Sequence, residues 1–127
     1  MASATPRVRK PRVPRLVLVD QAKREYFEAL AAAGYNVRSA ANLKEALALR
    51  PRPDALIVEL VVPDADLAEL SSAMATRRRT RALTVVALAG EDRQEAVVKA
   101  GAAFCRFPCP PEELLEIVTR VVPLARA

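Results

Sequence analysis

The sequence predicts an α/β domain built on a doubly wound, five-stranded parallel sheet, and three observations point there. Short apolar runs alternate with amphipathic segments five times along the chain, the rhythm of βα units joined by right-handed crossovers. The runs are uniformly apolar rather than alternating, as expected of strands covered on both faces. Apolar residues make up 52% of the 127 residues while aromatics supply only 4%, with no Trp, so Ala, Val and Leu must fill the core. A chain of this length suits one domain. The expected arrangement is a flavodoxin-like (βα)5 fold of strand order 2-1-3-4-5.

Each element has its own signal. Residues 1–14 carry Pro6, Pro11 and Pro14 among cations and little that could be buried, which predicts a basic, disordered or extended arm; the domain is expected to occupy 15–127. RLVLVD reads as the first strand. QAKREYFEALAAAG is a helix with Tyr26, Phe27 and Leu30 on one stripe, closed at Gly34. YNVRSA is the second strand; Asn42 caps the next helix, which Pro51 and Pro53 stop. DALIVEL is the third strand, and the third helix is expected after Asp66. LTVVALAG is the fourth strand, EDRQEAVVKAG the fourth helix, AAFCRF the fifth strand, and a last helix begins at Pro111.

Charge is unevenly placed. Lys and Arg number 20 against 15 Asp and Glu, for a net +5, and Arg7, Arg9, Lys10, Arg12 and Arg15 are unaccompanied by an acid in the first 15 residues. The arm could meet nucleic acid or another anionic surface through those five cations, but without aromatics for base stacking a solvated tail is the favoured reading. The TRRRTR run at 76–81 reads as a solvated helix end, where cations suit the helix dipole. No apolar run is long enough to cross a bilayer, so the expectation is a soluble, cytoplasmic protein without membrane attachment. With no His, and Cys105 and Cys109 the only cysteines, no metal site is expected and the thiols read as packing residues.

In a sheet of this order the ligand crevice lies beyond the carboxyl ends of strands one and three, where Asp20 and Glu59 fall. The stretch PDALIVELVVPDAD (53–66) resembles the P-D-L-V-L-L-D-I-M-M-P-D-M-D-G of receiver domains from bacterial two-component response regulators. LVLVDQ resembles their first strand with its acidic pair, and AGAAFCRFPCPPEEL resembles the segment that joins their fifth strand to their last helix. Together the resemblance covers residues 15–124.

Carried over position by position, the resemblance keeps the scaffold and loses the chemistry. Glu59 stands at the phosphoacceptor position, Asp20 keeps the first acid of the pair, Gln21 replaces the second, Ala89 replaces the hydroxyl residue, and Phe107 replaces the lysine ahead of Pro108. Phosphoryl transfer needs an in-line nucleophile, a divalent cation on hard oxygens, and donors facing the phosphoryl oxygens. Glu59 displaces its carboxylate by roughly 1.5 Å, where misplacement by about 1 Å can cost a hundredfold. Gln21 weakens magnesium binding, and Ala89 and Phe107 supply neither donor nor charge.

The resemblance thus implies a degenerate, non-enzymatic pseudo-receiver: a protein-interaction module of phosphorelay signal transduction, without a cofactor and with weak or no magnesium binding. A conventional phosphorylatable receiver is the alternative. Two readings of Glu59 stand, an inert residue and a permanent mimic of the phosphorylated state. The resemblance further implies an output face on helix four, strand five and helix five, places Phe104 at the family's switch-aromatic position, and makes Phe107-Pro108 a candidate cis junction. Leu114, Leu115, Ile117, Val118, Val121 and Val122 give the last helix more apolar surface than one stripe requires, which suggests a homodimer.

Overall fold

The computed structural model describes residues 13–19, 24–60, 63–77 and 83–124. Five strands, β1 (Arg15–Val19), β2 (Asn36–Ala40), β3 (Ala55–Glu59), β4 (Thr84–Ala89) and β5 (Ala103–Arg106), form one parallel sheet in the order β2-β1-β3-β4-β5. Between and after them run α1 (Arg24–Ala32), α2 (Leu43–Ala48), α3 (Pro63–Arg77), α4 (Gln94–Lys99) and α5 (Pro111–Val121). The expected fold and strand order are both observed. Residues 1–12 of the arm, and with them the expected contacts of Arg7, Arg9, Lys10 and Arg12, lie outside the described residues.

Alternate residues of each strand enter opposite layers. Val17, Val19, Leu56, Val58, Val85, Ala87 and Ala89 pack against Leu43 and Ala46 of α2, Leu70 of α3 and Val97 of α4. Leu16, Leu18, Ala55, Ile57, Val86, Leu88 and Cys105 pack against Tyr26 and Leu30 of α1 and Leu114 and Val118 of α5. The period of two in a strand thus becomes two cores, one on each face, which explains why the strand sequences carry no polar alternation. Among the described residues no charged side chain is buried, and the polar atoms taken into the cores are those of Tyr26, Tyr35 and Cys105.

Local signals set the ends of most elements. Gly34 sits at φ +113 after α1, a conformation that L side chains rarely adopt. The Asn42 side chain accepts from the backbone N–H of Glu45 at 2.8 Å, and Glu45 in turn accepts from the N–H of Ala41 at 3.0 Å, closing the amino end of α2 reciprocally. Two boundaries differ from expectation. The third helix begins at Pro63 rather than after Asp66, because proline is preorganised for the first helical position and its missing N–H is not needed there. The fourth begins as a single 3₁₀ turn, Glu91–Arg93, before α4 proper.

Arg15, counted among the arm cations, belongs to β1. Its N–H donates to the Asp54 carboxylate at 2.7 Å while the N–H of Asp54 donates to the Arg15 carbonyl at 2.8 Å. The apolar surplus of α5 is largely absorbed within the chain: Leu114, Val118 and Val122 are buried, and Leu115, Ile117 and Val121 are partly buried against the same core. Among the described residues no helix is long and apolar enough to cross a membrane.

Candidate functional site

The carboxyl ends of β3, β4 and β5 bring three of the sequence-derived positions together. Glu59 is the last residue of β3, half-buried, and in register with Leu88 of β4. Ala89 is the last residue of β4 and pairs with Arg106 of β5. One step further, the N–H of Phe107 donates to the Ala89 carbonyl at 2.9 Å, so strand pairing persists past the end of β5 and fixes where Phe107 leaves the sheet. Asp20 and Gln21 lie outside the described residues.

Of these three side chains, Glu59 carries a carboxylate, while Ala89 and Phe107 carry no polar group. Ala89 is only 4% exposed and packs into the layer under α2, α3 and α4. Its methyl group offers no donor. Phe107 is partly buried on the other face and meets Tyr26 of α1 edge-on, with ring centroids 6.3 Å apart and planes at 76°, a favourable aromatic geometry. Phe104 packs against the first layer, opposite in direction to Cys105. Phe107–Pro108 is a cis peptide bond, as is Arg50–Pro51.

Beside this edge the junction between β5 and α5 holds a polar cluster that sequence periodicity did not reveal. Arg106 makes two parallel bonds to the Glu113 carboxylate, at 2.8 and 2.9 Å. The Glu113 carboxyl is thereby held below its usual range and the Arg106 guanidinium above its own. The Tyr26 hydroxyl donates to the Cys109 carbonyl at 2.8 Å and lies 3.7 Å from the Cys109 sulfur. The Cys105 and Cys109 sulfurs are 3.6 Å apart, and both lie within 4.8 Å of a Glu113 oxygen. Only the count of two cysteines, four residues apart, could have hinted at this meeting.

Those three donor atoms could in principle hold a cation, but Arg106 already engages both Glu113 oxygens. Burial, and then the hydrogen bond with Cys109, push the Cys105 thiol up to about 12. Burial and the Cys109 thiol likewise push Tyr26 up to about 12. Both groups therefore hold their protons more tightly folded than unfolded. Stability is fully present below about pH 9, where both are protonated in either state, and falls as pH rises from the ordinary values of 9.0 and 10.0 through about 12. Urea titrations of the reduced chain should show this decline, and Tyr26→Phe combined with Cys105→Ala should flatten it.

Neither a family model nor a curated protein sequence matches the chain. Solved structures do. A putative response regulator from Chloroflexus aurantiacus aligns at 29% identity and a TM-score of 0.70, over 87% of this chain and 98% of that one. A response regulator from Thermotoga maritima aligns at 25% identity and 0.69 over 87% and 98%. The chemotaxis response regulator CheY4 of Vibrio cholerae aligns at 24% and 0.69 over 87% and 100%. The chain therefore has the fold of CheY-like response regulator receiver domains and is similar to them over most of its length.

Proposed function

We propose that the chain is a receiver-like protein-interaction module of two-component signalling that works without being phosphorylated. The observation that carries this reading is the edge formed by Glu59, Ala89 and Phe107. A phosphoryl group arriving there would meet the methyl of Ala89 and an aromatic ring engaged by Tyr26, where the reaction needs a hydrogen-bond donor and a cation. With Gln21 in place of a carboxylate, a divalent cation would also lose one of its charged oxygen ligands.

The surface on α4, β5 and α5 is the one we assign to the partner. Val98 is 56% exposed on α4, between charged neighbours Glu95 and Lys99 along an open groove that also includes Glu91 and Asp92. Arg106 and Glu113 continue a charged stretch across β5 and α5. The mixture of one apolar anchor and surrounding charge suits a reversible protein contact.

Incubating the full chain with a small acyl phosphate and magnesium, followed by intact-mass measurement, tests the central claim. The mass should not change. A gain of one phosphoryl group located at Glu59 would establish a conventional receiver instead.

A further inference from the structure

The function proposed above makes no use of the two thiols at the junction of β5 and α5. Cys105 is wholly buried within β5, and Cys109 is half-buried in the segment leading into α5. Their sulfurs, 3.6 Å apart, need approach by only about 1.5 Å to reach a disulfide bond length. Cys105 is held by strand pairing, in register with Leu88. The movement therefore falls to Cys109, which belongs to no helix or strand. Metal binding is the weaker use of this cluster, since a cation would have to displace Arg106 from Glu113.

We infer that Cys105 and Cys109 form a reversible dithiol–disulfide pair, oxidised by exchange with small-molecule disulfides. Cys109 is the entry point, because Cys105 is 0% exposed and out of reach of any such reagent. The Cys109 sulfur attacks one sulfur of RSSR; the S–S bond breaks, and the leaving RS⁻ takes the proton that Cys109 gave up. The Cys105 sulfur then attacks the Cys109 sulfur of the mixed disulfide, and its proton goes with the second departing RS group. In sum, two protein thiols lose two electrons and two protons while one small disulfide becomes two thiols. The titratable groups around the pair are Tyr26 from α1, Arg106 from β5 and Glu113 from α5. Burial holds Cys105 protonated, which slows its attack on the mixed disulfide relative to that of an ionised thiol.

Closure would not stay local. The Cys109 carbonyl accepts the Tyr26 hydroxyl, so a shift of Cys109 moves the point where α1 is tied to the approach to α5. Disulfides in reducing compartments are typically transient and redox-sensing, and a bond between a strand and the adjoining segment fits that use.

The experiment is oxidation of the reduced, folded full chain with oxidised glutathione, an acid quench, alkylation and intact-mass measurement. The expected product is lighter by two hydrogens, takes no alkyl group and returns to the dithiol with dithiothreitol. Cys105→Ala should stop with one glutathione on Cys109, and Cys109→Ala should remain unmodified while folded, as judged by far-ultraviolet circular dichroism. A wild-type chain that keeps a stable glutathione adduct, stays unmodified or forms mainly linked dimers would overturn the inference, whatever the variants do.

Discussion

Replacing Leu114 by alanine is expected to lower the unfolding free energy by about 2–5 kcal/mol, the range for deleting a fully buried leucine side chain. Leu114 is 0% exposed and stands in the first turn of α5, where it packs with Tyr26, Leu88 and Cys105. Its neighbours are Leu88, in a strand paired on both sides, Cys105, paired to that strand, and an aromatic tied to the Cys109 carbonyl, so the site has little freedom to collapse into the space. Against a typical domain stability of about 5–15 kcal/mol, that loss is large. Urea titration should show a lower midpoint with the slope unchanged. Val98→Ala, at an exposed position, should stay within about 0.5 kcal/mol of the parent. A Leu114→Ala loss as small as that control would mean that α5 is not seated on the core.

The second large effect concerns chemistry. Glu59→Asp alone should leave phosphorylation by a small acyl phosphate at background. Shortening the carboxylate corrects a misplacement worth about a hundredfold, but it restores neither the charged metal ligand nor the donors. Each missing donor costs about 10²–10³ in rate. Combining Glu59→Asp with Gln21→Asp, Ala89→Thr and Phe107→Lys should raise the phosphorylation rate at least about 10⁴-fold over Glu59→Asp alone. Intact mass followed over time, with circular dichroism to confirm folding, gives both rates. Equal rates for the single and the fourfold variants would remove Gln21, Ala89 and Phe107 as the cause of inactivity.

The fold was legible because its signals are local and repetitive. Uniform apolar runs, a left-handed Gly34 and the Asn42 cap each act over a few residues, and the alternation of elements leaves few topologies. The site was legible only as a set of positions. Glu59, Ala89 and Phe107 could be placed at strand ends from spacing, and the structure brings them to one edge. Nothing in the spacing foretold that Phe107 would meet Tyr26 edge-on. The start of α3 falls earlier than expected because Pro63, a residue that usually interrupts helices, here opens one. The pairs Arg106 with Glu113 and Tyr26 with Cys109 were invisible for a different reason. They join groups far apart in the pattern of elements, one of them a backbone carbonyl, and no hydropathy period records such a meeting.

The paired bonds between Arg15 and Asp54 have a practical consequence for how the protein can be handled. They fasten the first strand at the amino edge of the sheet, whereas Glu59, Ala89 and Phe107 occupy the opposite edge. Four residue steps of β-strand separate the two edges by roughly 13 Å. A fluorophore placed at Val13 itself would therefore load the sheet at one pole, a strand's length from Glu59, Ala89 and Phe107 at the other.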